Sequence, residues 1–267
     1  MRSASLTAEA IAQALTTKRI GSQVCFYEEI GSTNNEAKRL AMEDCPDGTL
    51  VIADQQYGGR GRLSRSFLSP KGGGLWFTLV LRPDIVPTEA SKCTLLAALA
   101  VAKAIRKTTG IDCGIKWPND ILVNGKKLVG ILTEMSADMD GIRYIVCGIG
   151  INVNIRREEF AEDIRDIATS VEALLGHPFD RLMLLNAVCG EMEKAYEQML
   201  EEGFAPILAE WKEYSVTLGQ AVRVIAPDET YEGVAVDLDE DGSLLVKTET
   251  EIKTVLAGDV SIRPRDN

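Results

Sequence analysis

Asn124-Gly125 stands between two apolar runs, Ile121-Leu122-Val123 and Leu128-Val129-Gly130-Ile131-Leu132. Both turn residues tolerate positive φ, and a turn of that kind matches the twist of paired strands, so the pattern predicts an antiparallel hairpin. Asp140-Gly141 marks a second reversal, ahead of the run 144–153. Two tight reversals in mid-chain break the strand–helix–strand alternation that a doubly wound sheet requires. The expected fold is therefore α+β, a mixed β-sheet with helices packed on it.

Around this centre, residues 6–15 read as one short helix, with Leu6, Ala10, Ile11, Ala14 and Leu15 on one face. Residues 24–27, 50–53 and 75–81 are β-rich, and helical spacing marks 36–42, 88–109, 158–175 and 179–202. From about Ser215 the texture changes to short β-runs at close intervals, with a turn at Asp241-Gly242, which suggests a small barrel. We therefore divide the chain into residues 1–214, whose first 20 supply only the short helix, and a small β-barrel domain of residues 215–267. The 267 residues suit one large domain with such an appendage.

The chain carries 40 acidic and 29 basic residues, a net charge of −11, which argues against a protein that wraps nucleic acid. Residues 215–267 alone hold 11 acidic and 5 basic side chains, so the small domain is disproportionately acidic. The single histidine, His177, excludes a multi-histidine metal site. Six scattered cysteines with no Cys-x-x-Cys pair read as free thiols of a reducing compartment. No apolar run approaches the ~18 residues of a membrane span, and no signal-peptide core precedes residue 20. The expectation is a cytoplasmic protein that binds neither DNA nor membrane.

One segment inverts the charge. Residues 55–83 contain no acid but five cations, Arg60, Arg62, Arg65, Lys71 and Arg82. At its centre Gly58-Gly59-Arg60-Gly61-Arg62 joins backbone freedom to guanidinium forks, a combination suited to phosphate or carboxylate. It matches neither a P-loop nor a dinucleotide-binding fingerprint. A solvated hairpin loop is the plainer alternative.

Four further segments stand out. In Lys116-Trp117-Pro118-Asn119-Asp120, Pro118 should interrupt a strand and turn Asn119 and Asp120 outward. They could serve a magnesium–phosphate group or simply make a turn. Lys126-Lys127 precedes an apolar strand, either as a solvated edge charge or as a cation aimed at a substrate anion. Thr33 and Glu36 fit a capping box. Gly148-Ile149-Gly150-Ile151-Asn152 alternates glycine along a strand, which implies close approach of a backbone or ligand.

Together, Gly31-Ser32-Thr33-Asn34, Gln56 to Arg62, Lys116 to Asp120, Lys127 to Leu132 and Gly148 to Asn152 resemble, in order and approximate spacing, the motifs of the biotin protein ligases. The resemblance covers about residues 20–265. It implies a catalytic domain with a C-terminal SH3-like β-barrel and a two-step reaction using ATP, biotin and Mg2+. Biotin is activated to biotinyl-5′-AMP and then transferred to a lysine on the biotin carboxyl carrier domain of acetyl-CoA carboxylase or another biotin-dependent carboxylase.

By the same resemblance, Ser32, Thr33, Asn34, Gln56, Arg60, Gly61, Arg62 and Lys127 would contact biotin. Lys127 and Arg62 would be catalytic. Arg60, Arg62, Arg65, Asn119, Asn152 and Arg263 would serve ATP or the adenylate, and Asp120 would position magnesium. Where family members often continue the loop with glycine and then tryptophan, this chain has Ser64 and Phe67. Some relatives carry an N-terminal helix-turn-helix repressor domain; the residues before Ile20 supply one helix, so the chain is read as the ligase without it. A lipoate ligase of related chemistry and a non-catalytic biotin-sensing repressor are the rival readings. Monomer and homodimer both stay open.

Overall fold

The computed structural model describes residues 6–62, 66–139, 141–226 and 228–257, and the backbone of 261–264. A seven-stranded mixed sheet has the order β1-β2-β3-β7-β6-β5-β4. Its strands are β1 (Val24–Ile30), β2 (Thr49–Gln56), β3 (Gly74–Leu81), β4 (Gly114–Lys116), β5 (Asp120–Val123), β6 (Lys126–Asp138) and β7 (Gly141–Asn152). Only β1 and β2 pair in parallel, joined by helix α2 (Thr33–Met42); every other pair is antiparallel. The Asn-Gly hairpin is the β5–β6 reversal, with Asn124 and Gly125 both at positive φ.

Strand alternation gives the sheet two different faces. Leu75, Phe77 and Leu79 of β3 and Cys147, Ile149 and Ile151 of β7 point into the main core. Helices α3 (Lys92–Thr109) and α5 (Arg181–Glu202) cover that side, and their buried faces join the same cluster. On the opposite face, α2 packs Ala37 and Ala41 on Val51, Val80 and Val146 at one end. Trp76, Ile155 and Phe160 close the other end. Between these two covers the face carries Thr78, Gly130, Gly148 and Gly150, where small side chains leave a hollow.

The C-terminal sheet has five strands, all antiparallel, in the order β11-β10-β9-β8-β12. They are β8 (Ala221–Ile225), β9 (Thr230–Leu238), β10 (Leu244–Lys247), β11 (Ile252–Val255) and β12 (Ser261–Pro264). Its apolar face, with Val222, Val224, Leu244 and Val246, is continuous with the main core. Trp117 clamps the seam: its backbone N–H donates to Thr217 Oγ1 at 2.9 Å and its Nε1 to the Gly242 carbonyl at 3.0 Å. Some of the acidic surplus is used here, because Asp237 pairs with Lys212 at 2.6 Å and Asp241 with Lys92 at 3.5 Å.

Two expectations are corrected, and one helix is new. Residues 158–175 do not form one helix; a 3-10 turn (Arg157–Glu159) and a five-residue helix, α4 (Val171–Leu175), flank an irregular stretch. Lys127 N–H donates to Ile167 O and Thr169 N–H to Lys127 O, so pairing with β6 overrides the helical period there. Helix α6 (Ala205–Tyr214) was not anticipated, although Pro206 in its first turn is a start signal. The capping box is absent as well. Ser32 is the N-cap residue and Thr33 already helical, while Glu36 takes the Tyr27 hydroxyl at 2.7 Å and Arg39 instead.

Candidate active site

The hollow on the second face opens into a cavity of about 530 Å³. Its lining includes Ser32, Thr33, Asn34, Gln56, Arg60, Gly61, Arg62, Asn119, Asp120, Lys127 and Asn152, eleven of the thirteen residues expected to form the site. These come from five separate stretches of chain, brought together because β2, β3, β7 and β6 are neighbours in the sheet. Of the other two, Arg65 lies outside the described residues, as do Leu63 and Ser64. Arg263 sits in β12 opposite Arg223, its side chain outside the described part.

At one end of the cavity the polar groups are interlocked. Thr33 donates its N–H to Gln56 Oε1 at 2.8 Å, and its hydroxyl lies 3.0 Å from the same oxygen. Gln56 Nε2 donates to Ser69 Oγ at 3.1 Å. Asn34 Nδ2 donates to the Leu132 carbonyl at 3.2 Å and to Glu134 Oε2 at 3.0 Å. The fully buried Thr78 hydroxyl stands 2.6 Å from Asn34 Oδ1 and 2.8 Å from Thr33 Oγ1. Lys38 completes the chain, its Nζ 2.6 Å from Glu134 Oε1. Burial alone would raise the Glu134 carboxyl. Hydrogen bonds from Lys38 and Asn34, with the charges of Lys38 and Arg60, hold it below its ordinary range.

The alternating glycines of β7 prove to be seats for the protein's own side chains. A Cβ on Gly148 would come 2.0 Å from Asn34 Oδ1, and one on Gly150 would come 2.6 Å from the Phe67 ring. Gly130, opposite Gly150 on β6, is covered by the same ring and by the Lys127 stem, each 2.9 Å from an added Cβ. Phe67 meets Trp76 edge-on at 5.8 Å. The Lys127 ammonium lies 5.8 Å from its ring centre.

At the other end, Lys127 Nζ is 2.6 Å from Asp120 Oδ1, at an angle outside hydrogen-bond geometry, so the contact is an ion pair. Asn119 is turned inward, contrary to expectation. Its Nδ2 donates to the Ile131 carbonyl at 2.8 Å and its Oδ1 accepts from Arg62 Nη1 at 3.2 Å. The Trp117–Pro118 peptide before it is cis. Arg62 Nη2 also donates to the Ala257 carbonyl at 3.1 Å, so this arginine bridges the loop and the segment that follows β11. Asn152 lines the cavity but spends Nδ2 on the Thr169 carbonyl at 3.0 Å, which secures the stretch that sequence reading took for helix.

Sequence reading missed Thr78, Glu134 and Lys38. The first two could have been found by strand alternation, since Gly130, Leu132 and Glu134 share one face of β6 and Thr78 pairs with Gly148. The six cysteines are free, and burial pushes Cys113 up to about 11 and Cys147 and Cys189 up to about 12, so those thiols are inert. Among the described residues no three His, Cys, Asp or Glu side chains cluster as a metal cage, and no helix is long and apolar enough to cross a membrane.

Residues 26–152 match the biotin/lipoate A/B protein ligase family, and residues 217–263 match the biotin protein ligase C-terminal domain. The biotin–[acetyl-CoA-carboxylase] ligase of Paracoccus denitrificans is 32% identical over 236 residues, covering 86% of this chain and 96% of that protein. The chain belongs to the biotin protein ligase family. Within that family, the bifunctional ligase/repressor BirA of Bacillus spizizenii is 42% identical over 248 residues, which are 93% of this chain and 76% of the longer relative. Among solved structures, the Aquifex aeolicus biotin protein ligase in complex with biotin and ATP superposes with a TM-score of 0.79 at 32% identity, covering 91% of this chain and 99% of that one. The α+β body with its small C-terminal β-domain is thus the family's architecture.

Proposed function

We propose that the cavity carries out ATP-dependent biotinylation of a carrier protein in two steps. A biotin carboxylate oxygen attacks the α-phosphorus of ATP, the bond to the β-phosphate bridging oxygen breaks, and pyrophosphate leaves. The side-chain amine of a carrier lysine then attacks the acyl carbon of biotinyl-5′-AMP, forming an amide and releasing AMP and a proton. The observation that carries this reading is the cavity's polarity. An interlocked set of donors and acceptors, anchored on the Glu134–Lys38 ion pair, fills one end, and a cation with its counter-ion stands at the other.

The chemistry asks for both ends. Bringing a carboxylate to a triphosphate is electrostatically unfavourable, and fixed positive charge in a water-poor cleft lowers that barrier most effectively. Lys127 is the cation we assign to the reacting carboxylate and α-phosphate, with Asp120 and the Phe67 ring holding its ammonium in place. Thr33, Asn34, Ser32 and Gln56 are assigned to the biotin ring system. Arg60, Gly61, Arg62 and Asn119 are assigned to the adenylate, and Arg65 and Arg263 keep the ATP roles the resemblance implies. Asn152 acts by holding the wall at Thr169.

Mg2+ would neutralise the phosphates and ease departure of pyrophosphate. Asp120 is the residue we assign to it, as one carboxylate beside ligand phosphates and water suits this cation. Lys127 already holds Oδ1, so Asp120 would have to serve both partners.

The acceptor we assign is the biotin carboxyl carrier domain of a carboxylase, and the compartment is the cytoplasm, a reading that six free cysteines support. A net charge of −11 supports a protein carrier in preference to nucleic acid. Residues 1–214 form the catalytic domain in this reading and 215–267 the appended β-domain. Biotin-dependent exchange of pyrophosphate into ATP tests the first step. Lys127→Ala is expected to lower that exchange by at least about a hundredfold, and exchange at the wild-type rate would refute the assignment.

A further inference from the structure

Four side chains between Gln56 and Lys38 form one hydrogen-bonded series, and its protons can be counted. Both ends are pinned by groups that cannot reverse. At one end the Thr33 backbone N–H can only donate, so Gln56 presents its oxygen to it. Gln56 Nε2 then faces Ser69 Oγ, whose own proton is given to the Phe67 carbonyl at 3.2 Å. At the other end the Leu132 carbonyl and the Glu134 carboxylate can only accept, so Asn34 presents Nδ2 to them. Lys38 keeps that carboxylate ionised.

The consequence passes along the series. With Nδ2 committed, Asn34 Oδ1 faces Thr78, and a carbonyl oxygen only accepts. The single proton of Thr78 therefore lies on the 2.6 Å contact to Asn34. Thr78 is fully buried and has no second proton, so any proton on its 2.8 Å contact to Thr33 must come from Thr33. Among the described residues the one other partner of the Thr33 hydroxyl, Gln56 Oε1 at 3.0 Å, is an acceptor too. Whichever of the two takes it, the Thr33 proton stays inside the protein.

We propose that Thr78 and Glu134, with Lys38, are positioning residues that fix the direction of this series, so that Thr33 meets the ligand as a hydrogen-bond acceptor and selects an N–H. Biotin carries such groups in its cyclic urea, so the inference rests on the reading of the cavity given above. It adds a specificity mechanism in which a carboxylate acts on the ligand through Asn34, Thr78 and Thr33 without touching it. Gly148 belongs to the same device, because it leaves room for Asn34 to reach Thr78.

The test uses the intact chain, with biotin and biotins methylated at either urea nitrogen as probes, in pyrophosphate exchange. Thr78→Val keeps the shape and removes the hydroxyl. It is expected to raise the KM for biotin about tenfold, with kcat and the KM for ATP changing less than about twofold. Thr78→Ser restores the hydroxyl and is expected to return the KM close to wild type. In Glu134→Gln the new amide can donate to Asn34, so that only the Leu132 carbonyl at 3.2 Å still pins the direction of the series, and discrimination between biotin and the methylated probes is expected to fall.

A wild-type KM in Thr78→Val would overturn the proposal. So would equal impairment in Thr78→Val and Thr78→Ser, a parallel rise in both KM values, or unchanged discrimination in Glu134→Gln. If the wild-type chain shows no biotin-dependent exchange at all, the reading of the cavity fails first, and separately.

Discussion

Gly148→Ala adds one methyl group at the point where two arguments meet. Built on the strand, the new Cβ would lie 2.0 Å from Asn34 Oδ1, 2.8 Å from its Cγ and 3.0 Å from its Nδ2. Real carbon–oxygen contacts do not close to that distance, so Asn34 must swing away. Its anchors are the Leu132 carbonyl, Glu134 and Thr78, at 3.2, 3.0 and 2.6 Å, and it cannot move without loosening them. Overpacking of this kind costs about 1–3 kcal/mol. If the strain falls on the binding end of the cavity, the KM for biotin rises about 5- to 150-fold. Pyrophosphate exchange gives the KM, and calorimetric titration with biotin gives the affinity. The deciding control is Asn34→Gly. In that background the clash has no partner, and adding Gly148→Ala should change the KM little, a coupling that a double-mutant cycle isolates. A wild-type KM in Gly148→Ala, or the same penalty with and without Asn34, would refute the reasoning.

Two further predictions concern the frame that holds the cavity. Arg181 and Asp54 form a buried pair at 2.6 Å, with side chains 5% and 13% exposed, that ties α5 to the end of β2. Arg181→Met should lose about 3–5 kcal/mol in urea denaturation because Asp54 stays behind unpaired, and adding Asp54→Leu should recover much of it; no recovery in the double variant would sink the argument. Glu193 on α5 accepts the backbone N–H groups of Lys18, Arg19 and Ile20. Burial raises its carboxyl, but those three hydrogen bonds and the Arg19 charge bring it below its ordinary 4.5. A carboxyl depressed on folding stabilises the protein above its unfolded value, and that stability is lost as pH falls through the folded value. The melting-temperature gap between wild type and Glu193→Gln should therefore be present at pH 7 and shrink below about pH 4.5; an equal gap at pH 3 would count against it.

How far the sequence reached can be read from single residues. Strand alternation and the Asn-Gly turn exposed the β5–β6 hairpin because both depend on φ and on a period of two, which are local. The cationic loop was visible as a reversal of charge. Helix 158–175 failed since its periodicity lost to backbone pairing with Lys127, a partner more than 30 residues away. Asn119 was read outward because a Pro-Asn-Asp turn is usually solvated; here Ile131 and Arg62 draw it in.

By itself, then, the sequence determined which residue types were available for anion chemistry, the α+β class and the change of texture near Ser215. Only the tertiary structure decided what the glycines of β7 face. Asn34 meets Glu134 across 100 residues and Thr78 across 44, and no local pattern encodes such a contact. Hydrogen-bond direction is a property of a closed series with both ends pinned. It exists only once the sheet has brought β2, β3, β6 and β7 side by side.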